Sequence, residues 1–167
     1  MAQANDGGMV KTLSLLRITM GWMFFWAFID KVWGLGFATA AGKGWLDGVS
    51  PTAGFLGHAV KGPFVGIFHA MAGNVLVDWL FMLGLLGVGL SLMLGIYVRI
   101  ASYSGMAIVT LMYLSLLPPV QNPLIDDHVV FFFLFYLFTQ VPTVGETYGL
   151  GKWWKKMDFV KQYPILE

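Results

Sequence analysis

The chain has 167 residues and a formal net charge of +1; 57% of it is hydrophobic and 11% charged, against about half and about a quarter in globular domains. It contains no cysteine, which excludes disulfides, iron–sulfur clusters, thiolate metal sites and c-type haem attachment. No Gly-rich phosphate loop follows a strand pattern, and no basic patch suggests nucleic acid.

A helix needs roughly 20 mainly apolar residues to cross about 30 Å of hydrocarbon. The first such run covers residues 12–33, with Arg17 one turn inside its start, from where a guanidinium reaches the headgroups. It is longer than a signal-peptide core, and Trp33, Leu35 and Phe37 stand where a small-x-small cleavage site would lie, so it reads as a retained helix. Residues 50–73 are different in kind. Ser50-Pro51 is a helix start, with the hydroxyl as cap and proline at the first helical position. Gly62-Pro63 breaks the chain and starts a second short helix, with Phe64, Ile67 and Phe68 along one side. Both pieces are too short to span and are expected at the membrane surface or dipping into the bundle mouth.

The second span, 77–98, has no charge between Asp78 and Arg99. The third, 100–117, is stopped by Pro118-Pro119, and the fourth, 128–145, is rich in phenylalanine. In the tail, 146–167, the run Lys152-Trp153-Trp154-Lys155-Lys156 resembles an interfacial anchor. The expected fold is therefore an all-α membrane protein of one domain. It is a four-transmembrane-helix bundle with short extracytoplasmic interfacial helices between the first and second spans.

Four spans put both termini on one side. That side carries Lys11, Arg17, Arg99, Lys152, Lys155, Lys156 and Lys161; the other has Lys31, Lys43 and Lys61. The positive-inside rule then places both termini in the cytoplasm of a multi-pass cell-membrane protein. Gly84, Gly87, Ser91 and Gly95 form a stripe of small residues along the second span, and Ala101 and Gly105 repeat it in the third; both read as helix packing.

Ionisable groups at the ends of apolar helices are costly unless paired, hydrated or used. Asp30 ends the first span, Asp78 begins the second beside Trp79, and Asp126, Asp127 and His128 open the fourth after Gln121-Asn122-Pro123. The topology gathers them at the outer mouth, where they could bond a quinone's carbonyls and exchange its protons. His128, Asp127 and Asp126 are the candidate catalytic groups, with Asp30, Asp78, Asn122 and Trp79 lining the site. The structural alternatives are that Asp126 or Asp127 caps the helix, and that Asp30 and Asp78 merely mark the interface. A hard metal on the Asp/His cluster is a further alternative; bis-histidine haem is disfavoured, since no histidine lies in mid-membrane. His58 and His69 read as surface residues. On the cytoplasmic side Glu146 is expected to clamp Arg17 or Arg99.

These residues resemble the DoxX/DoxD family of small four-helix membrane proteins. The matching parts are Leu16-Arg17-Ile18 with Gly21-Trp22, Asp30-Lys31, the run from Trp79 to Gly84, and Gly95 with Arg99. The most telling are Asn122-Pro123 through Asp126-Asp127-His128 and the tail Tyr148-Gly149-Leu150-Gly151-Lys152-Trp153-Trp154. The resemblance spans residues 13–154. It implies a membrane subunit of an oxidoreductase, in the DoxD branch the tetrathionate-forming thiosulfate:quinone oxidoreductase. The expected function is a quinone-interacting subunit with quinone as substrate or ligand and no covalent or metal cofactor. Its partners are the lipid bilayer and other membrane or extracytoplasmic subunits. The alternative is a non-catalytic accessory or anchoring subunit of a larger complex. A transporter is disfavoured by the lack of ionisable groups deep in the bilayer and of broken mid-membrane helices.

Overall fold

The computed structural model describes residues 2–120 and 122–166, with side chains from residue 7 onward. Gln121, Glu167 and the side chain of Asp6 thus lie outside the described residues. All regular structure among the described residues is helical, with no strand. Its elements are α1 (Ala2–Trp33), α2 (Ala53–His58), α3 (Val65–Met71), α4 (Val75–Leu94), α5 (Val98–Ser115), α6 (Asp127–Gln140), α7 (Gly151–Trp154) and α8 (Asp158–Gln162). Short 3-10 turns cover Trp45–Asp47 and Pro164–Leu166.

Three helices are long and apolar enough to cross a membrane: Gly7–Trp33 within α1, then α4 and α5. On α4, the most apolar, only 33% of the residues in the spanning window are buried. Leu80, Leu83, Trp22 and Phe133 all face outward. An apolar outer surface of that extent belongs against lipid, because soluble monomers keep such patches small. The molecule is a membrane protein.

Helix ends follow local chemistry, and two differ from the sequence expectation. Asn74 caps α4 by accepting from Leu76 N and Val77 N at 2.9 and 3.3 Å. At its other end α4 stops at Leu94 rather than at 98. Gly95 takes the left-handed conformation (φ 74°), and its N–H closes on the carbonyl of Ser91. Gly95 is thus a helix terminator, and it also packs closely, since a Cβ there would collide with the Gly145 carbonyl. The fourth apolar helix is shorter than the expected 128–145: α6 has 14 residues, about 21 Å of helix. Val141 is extended because Pro142 follows it.

α1, α4, α5 and α6 enclose one core that includes Met20, Met82, Val88, Val109, Phe135 and Phe138. Consecutive long helices pack side by side, α4 on α1, α5 on α4 and α6 on α5. α1 and α4 approach at Gly21 and Gly89. A Cβ on Gly89 would stand 2.7 Å from Phe25 N, and one on Gly21 would stand 2.8 Å from Met93 N. Gly87, which the sequence placed in the stripe, faces open space. Gly105 does fulfil its expectation, seating the Phe135 ring. Phe135 also meets Phe24 edge to face at 5.4 Å, which ties α6 to α1.

α2 and α3 fold over one end of the α4–α5 pair. Leu56, Val60 and Phe68 form a second small core there with Val77 and Leu114. Lys61 N donates to the carbonyl of Ser115 at 3.0 Å. Gly62 (φ 81°) lies so close to the Leu117 carbonyl that no side chain fits. At the opposite end the tail folds back on the bundle. Trp154 is buried and donates to Leu166 O at 2.6 Å, whereas Trp153 faces outward.

Candidate functional site

Three acids of the expected mouth, Asp30, Asp78 and Asp126, are held by neighbours of their own. Asp78, in the first turn of α4, is buried and accepts from Thr52 Oγ1 at 2.5 Å and Ser50 Oγ at 2.8 Å. Ser50 Oγ also accepts from Ala53 N at 3.0 Å, so one carboxylate pins the start of α2 to the start of α4. Asp30 is buried at the end of α1 and accepts from Thr39 N at 2.8 Å and Phe37 N at 3.3 Å, shaping the loop that follows. Asp126 caps α6 through His128 N at 3.0 Å and meets His128 Nδ1 at 2.9 Å. Asp127 is exposed. Asn122 accepts from Leu124 N at 3.0 Å in a local turn. Trp79 is half exposed, and its ring stacks edge-on against Trp45 at 4.7 Å. His58 and His69 are exposed.

Asp30, Asp78 and Asp126 are thus hydrogen-bonded to groups beside them rather than to one another. Among the described residues no three His, Cys, Asp or Glu side chains come close enough to hold a metal ion. The physical reason is proximity. Loop amides or hydroxyls are in direct contact with Asp30 and Asp78, and the first turn of α6 with Asp126, while neighbouring helix axes stand about 8–10 Å apart.

The expected clamp of Glu146 on Arg17 or Arg99 is also corrected. Arg17 is fully buried, and its guanidinium donates to five main-chain carbonyls rather than to Glu146. Nε reaches Val144 O at 3.0 Å, Nη1 reaches Leu92 O and Met93 O, and Nη2 reaches Thr147 O and Tyr148 O at 3.2 Å each. These include the last carbonyls of α4, which have no partner within the helix and carry its negative dipole end. Glu146 pairs with Lys155 at 3.0 Å, and Arg99 donates to Pro164 O at 2.9 Å. Carbonyls at a helix end satisfy a guanidinium without dragging a carboxylate out of water, which makes them the better partners here.

A sizeable concavity among the described residues lies where α2 and α3 cover α4 and α5. It measures about 300 Å³, the lower bound of typical ligand pockets. The cover contributes Thr52, Phe55 and Phe68; α4 contributes Leu80 and Phe81; α5 contributes Leu111, Met112 and Ser115. Its only charged wall residue is Lys31, from the end of α1. The Lys31 ammonium lies 5.9 Å from the centre of the Phe81 ring. The opposite end of the bundle has a void of only about 20 Å³ near Arg99 and Trp154.

Of the sequence candidates, Asp78 stands directly behind this cavity, joined to its wall through Thr52. Asp30, Asn122, Trp79, Asp126, Asp127 and His128 do not line it. Sequence reasoning missed Lys31 and Thr52. The available signals were a lysine closing an apolar span and a threonine directly after the Ser50-Pro51 helix start. Comparison of the chain with protein-family models, curated proteins and solved structures found no match.

Proposed function

We propose that this chain is a quinone-interacting membrane subunit of an oxidoreductase, of the thiosulfate:quinone type implied by the DoxX/DoxD resemblance. The observation that carries the reading is the apolar cavity of about 300 Å³ beneath α2 and α3, with aromatic walls and few polar groups. That combination suits a flat, lipid-soluble ring with a small number of oxygens. In this reading α6 completes a fourth crossing together with residues 141–145, where Val144 is buried in the common core. Both termini face the cytoplasm, as the lysine and arginine bias favours. Protons exchange with solvent at the Asp126–His128 pair, whose side chains are 17–20% exposed. That pair lies at the same end as the cavity, since Tyr113 Oη of α5 donates to Leu124 O at 2.6 Å.

The test is mass spectrometry of the protein gently extracted from its membrane, recording bound lipophiles and co-purifying chains. Stoichiometric quinone is the expected result. A defined complex whose quinone lies entirely on other subunits would overturn it in favour of an accessory role. One observation favours that second reading: Leu83, Gly87, Leu90 and Leu94 form an outward face of α4, with open space above Gly87. A partner helix could pack closely there.

A further inference from the structure

The cavity holds an ammonium group whose hydrogen-bonding capacity is unused. Lys31 carries three N–H donors, yet makes no hydrogen bond or ion pair with any described residue. Its sequence neighbour Asp30 is the obvious partner, but that carboxylate is turned to the amides of Phe37 and Thr39. The hydroxyls in the same wall do not compete for an acceptor. Thr52 commits its proton to Asp78, and Ser115 commits its proton to Met112 O. Neither hydroxyl has a proton left to donate, and Lys31 is the one free donor among the described wall residues.

We infer that the cavity binds a lipid-soluble molecule through an oxygen acceptor (a carbonyl, phenolate or carboxylate) held by Lys31, with the ligand's apolar body between Phe55, Phe68 and Phe81. Charge complementarity selects this class. A half-buried cation beside apolar walls gains a charge-assisted hydrogen bond from an oxygen brought in by the occupant, which the walls themselves do not offer. A pure hydrocarbon leaves the ammonium unsatisfied, and a cationic amphiphile is repelled. The inference concerns the same cavity as the quinone reading but stands without it, because a tailed carboxylate presents the same acceptor.

The experiment uses the full chain in nanodiscs of zwitterionic lipid. It is titrated calorimetrically with two probes of equal tail length, a decyl-benzoquinone and decanoate, and with decylbenzene as the oxygen-free control. Wild type should bind at least one oxygen-bearing probe more tightly than decylbenzene. Lys31→Met should weaken that binding by about ten- to hundredfold, the weight of one charge-assisted hydrogen bond, and Lys31→Arg should restore much of it. Ser115→Trp, which fills the cavity and leaves Lys31 in place, should abolish binding. Unfolding midpoints confirm that each variant is folded.

Lys31-dependent binding of the quinone supports both readings. Lys31-dependent binding of decanoate alone supports this inference and overturns the quinone reading. Quinone binding that is unchanged within twofold in Lys31→Met overturns this inference and leaves the quinone reading standing. Failure of every probe to bind wild type overturns it as well.

Discussion

The two ends of the bundle each hold a cation, fully buried at Arg17 and half-buried at Lys31, and they treat it in opposite ways. At the terminal end Arg17 is wrapped by five carbonyls from α4 and the segment after α6, and little empty space remains near that end. At the α2–α3 end Lys31 has an aromatic ring for company and a cavity of about 300 Å³ before it. A cation satisfied by the chain's own carbonyls is a fastening. A cation left unsatisfied beside empty space is a receptor.

Substitutions can break or sharpen that contrast. The largest effect is expected for Arg17→Met, which strands carbonyls at the end of α4; each orphaned acceptor costs about 1–3 kcal/mol. A lost unfolding transition or aggregated material on gel filtration is the expected outcome. Next comes Gly89→Val, whose Cβ would sit 2.7 Å from the Phe25 main chain and force α1 away from α4. Gly87→Val, two residues earlier with nothing within 4 Å, should leave the midpoint unchanged. Asp78→Ala leaves the hydroxyls of Ser50 and Thr52 without their shared acceptor. It should cost about 1–3 kcal/mol and expose α2 to proteolysis before the long helices.

Lys31→Met is the decisive contrast. Removing an uncompensated charge should leave stability within about 1 kcal/mol of wild type or raise it. A loss as large as that of Arg17→Met would show that both cations fasten the fold. The smallest effect belongs to Asp158, whose carboxyl is held below the usual range by the hydrogen bond and charge of Lys161 at 2.8 Å. A depressed carboxyl contributes stability above the ordinary range and loses it as pH falls through the lowered value. The pair is exposed and open to screening, so Asp158→Asn should leave the midpoint unmoved at neutral pH and in acid.

The long helices were legible because uninterrupted apolar runs leave few alternatives in a chain this hydrophobic. The Asp126 cap and the stop at Pro118-Pro119 were legible from local chemistry. The helix phase was not. α4 is apolar all round, so nothing in its residues marks the inward side, and Gly89 could not be told from Gly84 or Gly87. The start of α1 was also missed: Gly7-Gly8 resembles a boundary, yet the helix runs through it. Asp78 was recognised as a polar group needing a use. Its partners stand 26 and 28 residues away across a fold-back that no local period encodes. Lys31 was counted only for its charge, because an unsatisfied donor is visible only once every nearby acceptor has been assigned.

Leu80 and Leu111 line the cavity and are also more than half exposed on the outer surface of the bundle. The chamber thus opens toward the side of the bundle, between two of its long apolar helices. A lipophile concentrates in the bilayer far above its level in water, so the occupant arrives by lateral diffusion and its effective dose is its mole fraction among lipids. Occupancy would then report the composition of the surrounding membrane, and would change when that membrane is diluted with inert lipid even though the aqueous phase stays the same.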